Sequence, residues 1–250
     1  MSGHNKWSSI KHKKGAADAK RGKLFTKLIK EITIAARLGG GDPDGNPRLR
    51  RAIDAAKASN MPQDNVTRAI KKGTGELEGV EYEELTYEGV GPAGVLFLID
   101  AMTDNRNRTH PELRHIFDKH GGQLSSAGSA AWAFDEKGVI YVDRTQAGEE
   151  KIFEAAVGAG AEDVQDLGEE WMVRTELTDL DEVAKTLEDG GIAVKSAELA
   201  KLPRTPKEVS GEDAEALMSL TDALDDHDDV QKVWSDFELS DEALAALAAD

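Results

Sequence analysis

The first thirty residues, MSGHNKWSSIKHKKGAADAKRGKLFTKLIK, set Lys6, Lys11, Lys13, Lys14, Lys20, Arg21, Lys23, Lys27 and Lys30 around Trp7 and His12. Cations at this density neutralise phosphates and release the counterions condensed on a nucleic acid, so their grip is strong at low salt and weakens as salt rises. Trp7 adds a flat face on which an unpaired base can stack, and His12 adds a hydrogen-bond donor. The bland alternative is a solvated terminus that binds nothing; the charge density weighs towards a polyanion. A second cluster, TDNRNRT at 103–109, lies between a strand and a helix. There Asn105, Arg106, Asn107 and Arg108 could reach phosphates or base edges. They could equally cap a helix with their arginines paired to nearby acids, and both readings stay open.

The rest of the chain sharpens the contrast. Residues 1–72 hold 17 Lys/Arg against 6 Asp/Glu, whereas 73–250 hold 14 against 42, for a formal net charge of −17. Such asymmetry bears on partners rather than on fold: the leading part is built to meet a polyanion and the remainder would repel one. The chain has no cysteine, which excludes disulfides and thiolate metal sites. No window approaches the ~18 apolar residues of a membrane-spanning helix, so no membrane partner is expected.

Three patterns imitate catalytic signatures. GVGPAG (89–94) has dinucleotide-loop spacing but runs into a strand, and Pro92 has no N–H for a phosphate, so a hairpin turn is expected. HPELRH sets His110 and His115 five apart, which rotates the second ring roughly 140° from the first on a helix and excludes a zincin pair. DDHDD (225–229) lacks the glycine and closing glutamate of a calcium loop and reads as a solvated helix end. No catalytic residue, metal or cofactor is expected.

These residues need elements to hold them. Leu24, Phe25, Leu28, Ile29, Ile32, Ala35 and Ala36 follow the i, i+3, i+4 period of one helix face. Lys20, Lys23, Lys27, Lys30 and Arg37 gather opposite, with Ile34 intruding. Gly39–Gly41 ends that helix. Asn46 and Pro47 start a second helix as N-cap and first-turn residue, and a third spans 62–72 before a glycine-rich acidic linker at 73–81. YEELTYEGVG and GVLFLIDAMTD then read as strands, the second an apolar run that suits a central place. A helix through THPELRHIFDKHGG and a strand through QLSSAGSAAWAF follow.

From GVIYVD to AVKSAELAKL the order is strand, helix, strand, strand, helix, strand, as in the ferredoxin-like split βαβ. The tail supplies one helix (SGEDAEALMSLTDALDDHDD) and one strand (VQKVWSDFEL), which would complete the earlier set. The expected fold class is α+β: a basic helical nucleic-acid-binding domain at 1–79, a discontinuous α+β domain from 80–133 and 207–250, and an α+β domain at 134–206 inserted into it, both of ferredoxin-like type.

MSGHNKWSSIKHKKGAADAKRGKLF, GGGDPDGNPRLRRAI, TYEGVGPAGV, TDNRNRT, GGQLSSAGSAAWAF, GAEDV and DDVQKVW together resemble the YebC family, which includes the mitochondrial translational activator of cytochrome oxidase. The resemblance runs in order from Met1 nearly to the C-terminus. It implies three domains and a cytoplasmic, non-enzymatic protein. Bacterial members are labelled probable transcriptional regulators that bind DNA. Others look like ribosome-associated factors that assist translation through proline-containing stretches, with ribosomal RNA and the ribosome as partners. The basic arm would make the nucleic-acid contact in either case, and no catalytic residue carries over.

Overall fold

The computed structural model describes residues 17–240 and 242–244. In chain order the elements are α1 (Ala17–Gly39), α2 (Pro47–Ala58), α3 (Gln63–Gly73), β1 (Glu83–Val90), β2 (Leu96–Thr103), α4 (Arg106–Lys119), β3 (Gln123–Ser125), β4 (Phe134–Asp143), α5 (Glu149–Gly158), β5 (Asp163–Asp166), β6 (Glu170–Thr175), α6 (Leu180–Asp189), β7 (Ser196–Pro203), β8 (Lys207–Val209), α7 (Gly211–Asp225), β9 (Val230–Ser235) and β10 (Phe237–Leu239). The fold is α+β and divides into two compact units. One holds the helices and β-structure up to Ala131 together with Ser210–Ser235; the other holds Trp132–Val209 and the segment from Asp236.

In the first unit, the apolar period of α1 finds its partners in α2 and α3. Ile32, Ala35 and Ala36 share a core with Leu49, Ala52, Ile53, Ala56, Met61, Val66 and Ala69. The many alanines let the helix backbones approach closely. At Gly73 the approach is so tight that a Cβ would lie 2.3 Å from the Thr33 carbonyl oxygen. α1 ends at Gly40, whose φ of +86° suits glycine and whose N–H returns to the Ala36 carbonyl at 2.9 Å. Asn46 caps α2 by accepting the Leu49 N–H at 3.1 Å, and its Nδ2 donates to the Ala35 and Gly40 carbonyls at 2.8 and 2.9 Å. One side chain thus fastens the end of α1 to the start of α2.

The sheet of this unit has the order β3-β1-β2-β9, with every neighbouring pair antiparallel. The apolar run of β2 takes a central place, and GVGPAG forms the tight turn from β1 to β2. α4 packs on β3 and on α7, and α7 packs on β9. The helices and this sheet lie in one compact unit, and the ion pairs described below link them.

The second unit carries the order β5-β6-β4-β7, again antiparallel, which is the ferredoxin-like arrangement. Ile140, Val142, Trp171 and Val173 of its sheet meet Ile152 and Ala156 of α5 and Leu180, Val183 and Leu187 of α6.

Two segments that read as single strands are broken. QLSSAGSAAWAF stops at Ser125 because Glu88 captures the N–H groups of Gly128, Ala130 and Ala131, bending the chain into a loop before β4. VQKVWSDFEL divides at Asp236, whose carbonyl accepts the Lys207 N–H at 2.6 Å. Beyond it β10 pairs in parallel with β8. Residues 207–209 and 237–239 therefore belong to the second unit, apart from 210–235.

Candidate nucleic-acid interface

Lys6, Trp7, Lys11, His12, Lys13 and Lys14 lie outside the described residues, and so does the side chain of Lys20. Among the described candidates, the row Lys23, Lys27 and Lys30 is spaced i, i+4, i+7 along one face of α1. That row meets the end of α7 and the loop after it. Lys23 Nζ pairs with Asp226 Oδ1 at 3.1 Å and donates to the Asp226 carbonyl at 3.0 Å. Lys27 Nζ lies 3.7 Å from Asp225 Oδ1 and donates to its carbonyl at 2.9 Å. Ammonium groups are well placed there, because the last carbonyls of a helix lack partners and carry the negative end of its dipole.

Lys30 is buried. Its ammonium donates to Asp229 Oδ1 at 2.9 Å and to the carbonyls of Met102 and Asp228 at 3.1 and 2.8 Å. All three of its hydrogens are thereby used, so the expectation that Lys30 grips a phosphate is corrected. Lys23 and Lys27 are likewise engaged by acids of this chain, although Lys23 keeps 42% of its side chain exposed. Ile34, which interrupts the basic stripe in sequence, is fully buried on the same face of α1. That apolar residue among lysines was the available sign that the face is covered.

Asp229 is the hub. Its Oδ2 accepts from Arg108 Nη2 at 2.7 Å, Thr109 Oγ1 at 2.8 Å and Thr103 Oγ1 at 3.1 Å. Burial would push this carboxyl up, but the hydrogen bonds from Arg108, Lys30 and Thr109 and the charge of Lys30 hold it well below the usual carboxylate range. The same bond to Asp229 raises the Arg108 guanidinium above its ordinary value. Arg108 also holds Asp104 at 3.0 Å. Asn105 uses its side-chain oxygen to cap α4, accepting from the N–H groups of Asn107 and Arg108. Within TDNRNRT, then, Asn105 and Arg108 serve the fold, and Arg106 and Asn107 stand exposed.

DDHDD is correspondingly more than a solvated helix end. His227 Nδ1 accepts the Asp229 N–H at 3.1 Å, and its Nε2 lies 3.0 Å from Glu112. Glu112, His227 and Asp229 bring ligand atoms within 4.8 Å of one another. Lys30 and Arg108, however, already supply Asp229 with the positive charge a metal would bring, and the trio does not fit a cation.

Two further features concern cations of the helical segment. Arg48 is bound by Glu31 at 2.7 and 3.0 Å and by Glu84 at 2.5 and 3.1 Å. The hydrogen bond it donates to Glu31, set against burial and joined by that to Glu84, raises its guanidinium above its ordinary value. On α3, Arg68, Lys71 and Lys72 are exposed, and no carboxylate of the described residues pairs with them. Their i, i+3, i+4 spacing was the signal: it puts three cations on one face.

A basic helical segment is followed along the chain by two α+β sheets, and no helix among the described residues is long and apolar enough to cross a membrane. Residues 5–76 match the family model for the TACO1/YebC protein N-terminal domain, and residues 82–237 match that for the TACO1/YebC second and third domain. The chain belongs to the TACO1/YebC family. It is 57% identical over 98% of its length to a probable transcriptional regulatory protein of Desulfatibacillum aliphaticivorans, covering 99% of that protein. It is 56% identical over 99% of its length to a probable transcriptional regulatory protein of Geobacter sulfurreducens, covering all of it. The crystal structure of a conserved hypothetical protein from Aquifex aeolicus is similar with a TM-score of 0.87 and 47% identity, over 94% of this chain and 97% of that one.

Proposed function

We propose that the protein is a non-enzymatic regulator of gene expression in the cytoplasm that binds nucleic acid through its basic leading segment. The observation that carries this reading is the division of charge, 17 Lys/Arg against 6 Asp/Glu in residues 1–72 and 14 against 42 thereafter. The acids of the first unit engage only part of that excess. Lys23, Lys27, Lys30 and Arg48 hold the fold together, whereas Arg68, Lys71 and Lys72 are exposed. DNA is the target that the names of the relatives favour, since each is called a probable transcriptional regulatory protein.

A second reading, a ribosome-associated translation factor that binds RNA, is favoured by Trp7 within the lysines, because an indole rewards an unpaired base and gains little from a closed duplex. The test is to replace Lys6, Lys11, Lys13 and Lys14 by Gln in the full chain and titrate duplex DNA and single-stranded RNA. Affinity should fall, and the slope of log K against log salt should flatten by roughly 0.9 per lost contact on duplex DNA or roughly 0.7 on a single strand. Unchanged affinity and slope for both would overturn the proposal. Ribonuclease-sensitive co-sedimentation with ribosomal particles separates the second reading from the first.

A further inference from the structure

α4 lies in the acidic part of the sequence, yet it carries Arg106, Arg108, Arg114 and Lys119 against Glu112 and Asp118. At 100° per residue, Arg106, His110 and Arg114 fall within an arc of about 80°, and Arg108 lies about 200° away from Arg106. The structure uses the two flanks differently. Arg108 turns to Asp104 and Asp229. Arg106 and Arg114 are exposed, and no carboxylate of the described residues pairs with either. They stand about 12 Å apart along the helix axis, a length that takes in several phosphates of an extended strand.

An aromatic ring lies beside this row. Tyr87 of β1 has its ring centroid 6.0 Å from that of His110, at an interplanar angle of 57°. Burial raises the Tyr87 phenol above its ordinary value, and the charge of Arg106 opposes that rise. β1 pairs with β3 only through Glu88–Val90, so Tyr87 lies just beyond the last paired residue on that side, partly buried at the sheet edge. Cations in a row beside an accessible ring are the two components of a single-strand groove: charge follows the backbone, and the ring receives a base. A duplex keeps its bases stacked on one another and cannot use the ring.

We propose that this flank of α4 is a second nucleic-acid contact, selective for single strands, in which Arg106 and Arg114 hold phosphates and Tyr87 beside His110 stacks an unpaired base. The inference rests on the nucleic-acid reading above and adds a strand preference and a site away from the leading segment.

The test compares the full chain with R106Q/R114Q and with Y87V, a change that keeps strand propensity, on a fluorescent single-stranded RNA and on duplex DNA. R106Q/R114Q should weaken single-strand binding about tenfold or more and flatten its salt slope by about 1.4, two contacts at ~0.7 each. Y87V should weaken it about 5- to 160-fold through lost stacking and leave the slope unchanged. Duplex affinity should stay as it is in both, which also verifies that the variants are folded. Unchanged single-strand affinity in both variants, or equal losses on strand and duplex, would overturn the site and leave the nucleic-acid reading standing. A full chain that binds neither probe would overturn both.

Discussion

Glu88 and Asp229 are buried carboxylates of the same compact unit, both held below the ordinary carboxylate range, but they are stabilised by opposite means. Burial pushes Glu88 up, and the N–H groups of Gly128, Ala130 and Ala131 with the Ser129 hydroxyl outweigh it. Glu88 therefore pins a loop with neutral donors about forty residues away. Asp229 instead draws Lys30 from α1 and Arg108 from α4, full charges brought from 199 and 121 residues away. The contrast shows that a share of the basic residues in the leading helix exists to meet this chain's own acids. A count of lysines overstates what is left for a partner.

Breaking the Asp229 hub should have the largest effect. Asp229→Asn leaves Lys30 buried without a counter-charge, and removing one member of such a pair costs about 3–5 kcal/mol; a large fall in the urea midpoint would register it. Glu88→Gln should cost less, about 1–3 kcal/mol, because a neutral acceptor still faces the loop while its NH2 meets N–H donors. A midpoint shift in Glu88→Gln equal to that of Asp229→Asn would erase the distinction drawn between the two sites.

Acid separates the same two sites by their charge. Asp and Glu in an unfolded chain titrate at about 3.9 and 4.3. Both native groups lie lower, so their contribution is fully present above those values and is lost as pH falls through the depressed native ones. Stability measured from pH 6 to pH 3 should drop along this limb, and the drop should be shallower in Asp229→Asn. At the exposed end of the same row the effect is smallest. Asp225→Asn with Asp226→Asn releases Lys23 and Lys27, each pair worth about 0–1 kcal/mol. Nucleic-acid affinity should rise about two- to fivefold, read by titration at low salt. A fall in affinity would mean that those acids do not compete with phosphate.

What was legible in the sequence was local chemistry. Asn46 and Pro47 announce a helix start because cap and first turn are written in adjacent residues, and the alternation of elements from β4 to β7 announces the ferredoxin-like sheet. Glu88 was opaque, since nothing beside it in sequence shows that a loop forty residues on will fold around its carboxylate. Lys30 was misleading for the same reason: a lysine on a periodic polar face looks solvated until its partner is placed. TDNRNRT divided along its own length, with Asn105 and Arg108 absorbed by the fold and Arg106 and Asn107 left outward.

The distance from Lys30 to Asp229 also orders events during synthesis. At about 5–20 residues per second, the acid emerges some 10–40 s after the lysine it neutralises. All that while α1 travels with its ammonium groups uncovered, beside the RNA of the machine that is making it. Closure of the first unit must wait for nearly the last tenth of the chain, so a product truncated before Asp229 would retain a permanently bared cationic helix.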